Sequence, residues 1–257
     1  MPDRLILFDI DCTLIDAHGA GGRAMRRAIL DVYGVKGELG DYSFHGRTDP
    51  GIIRDLADLW GAGDPEAVFA GHEGELQPQV MHDLAESLGT PDDLIDDLVD
   101  VCIERYLELI AREIAEGRVD LVPGIKELVT ALAADRRALV GLVTGNAAEG
   151  ARLTLPPTRL YPLFKVGAYG SDSAHRPELP AVAVTRAEAL TGRRYAGKDV
   201  VVIGDTPADV ECGAGIGVTS VAVATGRHGA EELAAYAPDH LFTDFSDWRA
   251  AYAAIID

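Results

Sequence analysis

The sequence predicts an α/β protein, a doubly wound parallel sheet carrying an inserted block of helices, and three observations predict it. Apolar stretches of strand length alternate with helical patterns from about residue 122 to the C-terminal end. One further stretch of this kind, Leu5-Ile6-Leu7-Phe8, lies near the N-terminus and is continuously apolar, as suits a strand buried on both faces. Between the two, from about Gly19 to Gly117, there is almost no strand signal. The chain is therefore expected to divide into an α/β core, residues 1–16 and 121–257, and an α-helical cap, residues 17–120. At 257 residues it sits at the upper edge of a single domain, which fits one domain with an insertion.

The elements follow in order. After the first strand, helical spacing of apolar residues runs through AMRRAILDVYG, DPGIIRDLADLWG, EAVFAGHEGELQPQVMHDLAESLG (broken at Pro78) and DDLIDDLVDVCIERYLELIAREIAEG. Most of these end at a glycine, the usual helix stop. Asp92, Asp93, Asp96, Asp97 and Asp100 interleave with apolar residues as on an amphipathic helix with a solvated acidic face. Beyond Val122-Pro123-Gly124, the helix IKELVTALAAD leads to the strand Ala138–Thr144, and a helix near 147–153 leads to the strand Lys165–Tyr169. The helix LPAVAVTRAEALTG then leads to the strand Asp199–Asp205. A helix near 208–213 leads to Ser220–Ala224, and His240-Leu241-Phe242 reads as a short edge strand.

Composition excludes several classes of function. The formal net charge of −19 speaks against nucleic acid as a partner, since such proteins present a basic face. No apolar run approaches the roughly 18 residues of a membrane span. Three cysteines with no CxxC pair argue against a disulfide framework or a zinc site and for a reducing compartment. The N-terminus goes straight into LILFDID rather than into the basic and apolar segments of a secretory signal, so a cytoplasmic protein is expected. A monomer and a homodimer are equally compatible with the sequence.

Chemistry collects at the strand ends, where open parallel sheets bind ligands. The first strand ends in Asp9 and Asp11, the second in Thr144, Gly145 and Asn146. The third is followed by GSDSAHRP with Arg176, and the fourth ends in Asp205, with Asp209 four residues on. Ionised carboxylates at the end of a buried strand are costly unless paired, hydrogen-bonded or bound to a cation. Together these groups describe a site for Mg²⁺ and a phosphate: the ion takes carboxylate and phosphate oxygens, while Arg176, Thr144, Asn146 and backbone N–H groups meet the remaining phosphate oxygens. A carboxylate can attack phosphorus, and a second one two residues away can move the proton.

Asp9-Ile10-Asp11-Cys12-Thr13, Thr144-Gly145-Asn146, Arg176 and Gly204-Asp205-Thr206-Pro207-Ala208-Asp209 resemble, in order and placement, the four motifs of the haloacid dehalogenase-like (HAD) hydrolase superfamily. The resemblance covers essentially the whole chain and implies a HAD-like, Rossmannoid core with a cap inserted between the first two motifs. It implies that Asp9 is the nucleophile and a Mg²⁺ ligand. Asp11 would be the acid/base and would lend its carbonyl to the metal, Asp205 would be the other ligand, and Asp209 would support the metal's waters or Arg176. Thr13, Gly145 and Asn146 fall among the phosphate-binding positions. Two positions depart from the pattern: Cys12 stands where glycine is common, and Arg176 where lysine is common.

The resemblance implies a phosphatase acting on a small phosphorylated metabolite, with phosphoglycolate the nearest named substrate. A phosphosugar mutase shares the paired aspartates, and a non-catalytic binder of a phosphorylated ligand or protein partner is a reading of another class. A dehalogenase or phosphonate hydrolase would have no use for Asp11.

Simpler readings stand beside several of these residues. Asp209 also suits the first turn of a helix, Lys165 is the other basic residue near the third strand, and Cys12 reads more readily as a small buried filler than as a reactive thiol. GRRYAGK ahead of Asp199 lacks the Ser/Thr and the strand-to-helix setting of a phosphate loop. In the cap, His45-Gly46-Arg47-Thr48-Asp49-Pro50 is compact and polar. His45 and Arg47 there either meet the non-phosphate part of the substrate or order a loop, and Asp49-Pro50 equally reads as a helix start.

Overall fold

A computed structural model of the protein describes residues 2–34, 42–59 and 91–256, without the side chains of 91–97. The helix expected within 66–89 lies outside the described residues. Among those described, the apolar stretches form strands β1 (Arg4–Phe8), β4 (Ala138–Val143), β5 (Val166–Ala168), β6 (Val200–Gly204), β7 (Thr219–Val223) and β8 (His240–Phe242). Two short strands, β2 (Ile15–Asp16) and β3 (Asp120–Leu121), complete the set.

The sheet order is β5-β4-β1-β6-β7-β8 and every pairing is parallel. β1 lies between β4 and β6, with Phe8 opposite Leu142 on one side and Ile203 on the other. The strand order reverses here, so the ends of β1, β4 and β6 open a crevice at one sheet edge. Burial on both faces explains the uninterrupted apolar runs: Leu5, Leu7, Val200 and Val202 pack on one side, Ile6, Phe8, Val201 and Ile203 on the other.

The helices are α1 (Ala20–Tyr33), α2 (Asp49–Leu59), α3 (Pro91–Glu116), α4 (Ile125–Ala134), α5 (Ala148–Thr154), α6 (Leu179–Thr191), α7 (Pro207–Cys212), α8 (Ala230–Ala234) and α9 (Trp248–Ile256). α1, α2 and α3 share a hydrophobic cluster of their own, including Met25, Ile29, Tyr33, Ile53, Leu56, Cys102 and Ile110. The chain leaves the sheet at β2 and returns at β3, and these two strands pair antiparallel, Ile15 opposite Leu121 and Asp16 opposite Asp120. This ribbon, and helices α8 and α9, were not expected from the sequence. α1 also begins a turn earlier than its apolar spacing suggested, because Ala20, Gly21 and Gly22 carry little hydrophobic signal. No described helix is long and apolar enough to cross a membrane.

Candidate active site

The ends of β1, β4 and β6 meet the insert around a cavity of about 280 Å³. Asp9 is the first residue beyond β1, held by its N–H on the Ile203 carbonyl at 2.9 Å. After Ile10 the chain turns sharply, with Cys12 at a left-handed φ of 57°. The N–H of Cys12 donates to the Ile15 carbonyl at 2.7 Å, and its own carbonyl accepts the Thr225 hydroxyl. The glycine common at this position in the resembling family is thus a conformational requirement that Cys12 meets under strain. Cys12 is half-buried rather than the buried filler expected. Burial and then the nearby Asp205 push its thiol up to about 12, which favours the protonated form.

Oxygen atoms of Asp9, Asp205 and Asp209, all buried, lie within 4.8 Å of one another. Arg176 Nη2 donates to Asp9 Oδ1 at 3.0 Å and also to Asp209. Burial works against the charge of Arg176, but Asp209 and Asp9 outweigh it and hold the guanidinium protonated. Asp209 makes two kinds of contact. It contacts Arg176, and with Thr206 it forms the capping box of α7, its Oδ2 accepting the Thr206 hydroxyl at 2.6 Å and the Thr206 N–H at 3.0 Å. Lys165, the alternative cation, donates to the Pro162 carbonyl at 2.7 Å and does not reach the site.

Asp205 Oδ1 accepts the buried Thr13 hydroxyl at 3.3 Å, whereas its buried Oδ2 has no hydrogen-bond partner among the described residues. A Cβ on Gly226 would come within 1.8 Å of that oxygen, so the loop after β7 closes over it only as glycine. Burial, then Asp209 and Asp9, push the Asp205 carboxyl up to about 9. Burial raises Asp9 to about 7, with Arg176 opposing. Arg176 alone does not offset three carboxylates so crowded, and a further cation among them would let all be charged. The bare oxygen and the hard oxygen donor set are what Mg²⁺ requires. Asp11 lines the cavity with its side chain exposed; partial loss of water raises its carboxyl pKa, opposed by a hydrogen bond with Asn146.

β4 delivers Thr144, whose Oγ1 accepts the Asn146 N–H at 3.3 Å. Gly145 is fixed by close packing, since a Cβ there would meet the Arg47 carbonyl oxygen at 1.9 Å. The insert grips this loop. The Asp49 N–H donates to the Gly145 carbonyl at 2.8 Å, Asp49 Oδ2 accepts the Ala147 N–H at 2.8 Å, and the Thr48 hydroxyl donates to the Ala174 carbonyl at 2.8 Å. Asp49 does start α2 as the sequence suggested, but its carboxylate reaches across to the core, a contact that no local pattern announces. His45 faces the cavity, its pKa lowered by burial and by His228 and Arg227. The Arg47 guanidinium is occupied elsewhere, paired with Asp55 and lying 4.9 Å from the Tyr42 ring centroid, which favours its loop-ordering role.

Comparison with known proteins bears on the fold. A family model described as HAD-hydrolase-like matches residues 179–248, the segment that carries Asp205 and Asp209. A hydrolase from Pseudomonas syringae shares the fold over 100% of both chains, with a TM-score of 0.67 at 16% identity. The fold is HAD-like. Two further solved structures share the fold. One, described as a predicted phosphoglycolate phosphatase from Haemophilus somnus, covers 98% of this chain and 99% of its own, with a TM-score of 0.57 and 19% identity. The other is CbbY from Rhodobacter sphaeroides in complex with phosphate, covering 96% of each chain, with a TM-score of 0.56 and 22% identity. No curated protein sequence matches the chain.

Proposed function

We propose that this HAD-like protein is a Mg²⁺-dependent phosphatase of a small phosphorylated metabolite, acting through a phosphorylated Asp9, and that residues 17–120 form the cap that encloses the substrate. The observation that carries the reading is the convergence of Asp9, Asp205 and Asp209 within 4.8 Å, with Arg176 donating to Asp9 and Asp209 and Asp205 Oδ2 left bare.

Asp9 and Asp205 would hold the metal with the main-chain carbonyl of Asp11, and Asp209 would steady this group through Arg176. When bound, Mg²⁺ would supply charge neutralisation and polarise phosphoryl oxygens. Arg176, whose buried Nε has no partner among the described residues, offers the phosphoryl group a further donor, and the Thr144–Asn146 loop offers others. An Asp9 carboxylate oxygen attacks phosphorus while the ester P–O bond breaks, and Asp11 gives the departing oxygen its proton. Asp11 then takes a proton from a water that attacks the aspartyl-phosphate. Phosphate leaves and the Asp9 carboxylate is regenerated. Phosphoglycolate is the nearest named substrate, supported by the family resemblance and by the description of the Haemophilus neighbour.

Purified protein should release phosphate from p-nitrophenyl phosphate with Mg²⁺ and lose that activity in EDTA. Asp9→Asn should lower kcat by at least about a thousandfold, since a carboxamide is a poor nucleophile. Full activity in this variant would sink the mechanism.

A further inference from the structure

The loop that follows β7 touches both segments that carry the carboxylates of the site, and the chemistry of Asp9, Asp11 and Arg176 makes no direct use of it. The Ala224 N–H donates to the Phe242 carbonyl at 2.8 Å, so the loop leaves β7 still tied to β8. The hydroxyl of Thr225, next in the chain, donates to the Cys12 carbonyl. Gly226 lies against Asp205 and Cys12 together: a Cβ there would meet Asp205 Oδ2 at 1.8 Å and the Cys12 Cβ at 3.1 Å. The Thr13 hydroxyl on Asp205 Oδ1, at 3.3 Å, closes a ring of contacts through Cys12, Thr225, Gly226 and Asp205. Cys12 and Asp205 line the cavity, whereas Thr225 and Gly226 stand outside its lining.

This ring holds a turn that its own sequence resists. Cys12 keeps its φ of 57° in the region that glycine enters freely and an L side chain enters at a cost. That angle bears on where the Asp11 carbonyl points, because this carbonyl and the Cys12 N–H belong to one planar trans peptide. The N–H donates to the Ile15 carbonyl at 2.7 Å, so the Asp11 carbonyl is turned the opposite way. Left to itself, a cysteine relaxes toward negative φ and the carbonyl before it swings with the peptide. With Ile15 holding the N–H of Cys12 and Thr225 holding its carbonyl, the strained residue is pinned at both ends. Of these two ties, the one to Ile15 is internal to the turn and the one to Thr225 comes from the sheet.

We propose that Thr225 is a positioning residue for the cation of the site: its hydroxyl holds Cys12 in the left-handed turn that glycine would take unaided, and so keeps the Asp11 carbonyl in place beside Asp9 and Asp205. The proposal rests on the Mg²⁺ reading of those ligands. It explains how the chain carries a cysteine where glycine is common in the resembling family, and it couples two residues 213 positions apart in sequence. Thr225 matters to the cation in proportion to the strain at Cys12, whereas a hydroxyl that only steadied its own loop would matter equally whatever residue stood there.

Mg²⁺ titrations of the substrate-free protein, followed by calorimetry and by the rise in Tm, read the metal's Kd without turnover. Thr225→Val should raise that Kd about tenfold or more, the loss usual when a group that orients a metal ligand is removed. Thr225→Ser keeps the hydroxyl and should stay within about threefold of the parent. Cys12→Gly alone should leave Kd within about twofold, and in its background Thr225→Val should cost less than about threefold, because glycine needs no tie. Thr225→Ala, smaller and also without the hydroxyl, should follow Thr225→Val in both backgrounds. A Kd unmoved by Thr225→Val and Thr225→Ala, or a loss of the same size with cysteine and with glycine in the turn, overturns the proposal. A failed phosphatase reading looks different: no phosphate release by the unsubstituted protein, with this pattern of Mg²⁺ affinities intact.

Discussion

Cys12 shows how much a single residue can matter to this site. Its left-handed φ of 57° lies inside the turn that presents Asp9 and Asp11, and a non-glycine residue pays on the order of 1 kcal/mol there. The thiol makes no compensating hydrogen bond among the described residues, while the main chain is held at both ends by Ile15 and Thr225. Cys12→Gly should therefore raise the unfolding free energy by about 1 kcal/mol and leave kcat within twofold, whereas Cys12→Val, β-branched at positive φ, should lower it by more. Urea unfolding of the three proteins checks this. A glycine variant less stable than the parent would show that the turn carries no strain.

Among the elements, α2 is the piece through which the insert touches the chemistry. Asp49, at its start, is buried and 5% exposed, and burial pushes its carboxyl up to about 7 from 3.8, opposed by the Ala147 N–H. The folded state thus favours protonated Asp49. The stability this group contributes is fully present below pH 3.8 and is lost as the pH rises through about 7. Asn keeps an oxygen for the Ala147 N–H and cannot ionise. Asp49→Asn should accordingly gain stability over the parent at pH 8, on the order of a few kcal/mol, and match it near pH 4. Denaturation midpoints of the two proteins across that range, with Mg²⁺ held saturating, give the test, and parallel curves would contradict it.

This element also marks how far the sequence could be read. α2 itself, like β1, β4, β6, β7 and β8, falls where periodicity put it, because each buries a face or both faces in a regular pattern. The β2–β3 ribbon escaped notice, since two-residue strands have no periodicity to detect. The convergence of Asp9, Asp11, Thr144, Arg176 and Asp205 on one cavity was legible because a parallel sheet dictates where its strand ends meet. The place of Asp49 was not. It depends on how the insert docks across the sheet edge, a contact between residues as distant in sequence as Asp49 and Ala147.

At the scale of the whole molecule, the hydrophobic clusters on the two faces of the sheet and the one in α1–α3 meet around a cavity rich in carboxylates. Asp9 and Asp205, buried and pushed up to about 7 and about 9, oppose folding whenever they are forced to ionise without a partner. A cation that binds only the folded arrangement offsets this and, by mass action, adds about 2.7 kcal/mol at a concentration one hundred times its Kd. For a protein of 257 residues that corresponds to a rise in Tm on the order of 5–10 °C. Thermal scans in Mg²⁺ against EDTA should show it. Asp205→Asn should abolish the difference, because it replaces the carboxylate whose Oδ2 stands bare. The same substitution should raise the Tm measured in EDTA, since one buried ionisable group has gone. That opposite response in the two buffers is the sign of a metal ligand rather than of a structural carboxylate, and a variant destabilised equally in both would rule out Asp205 as one.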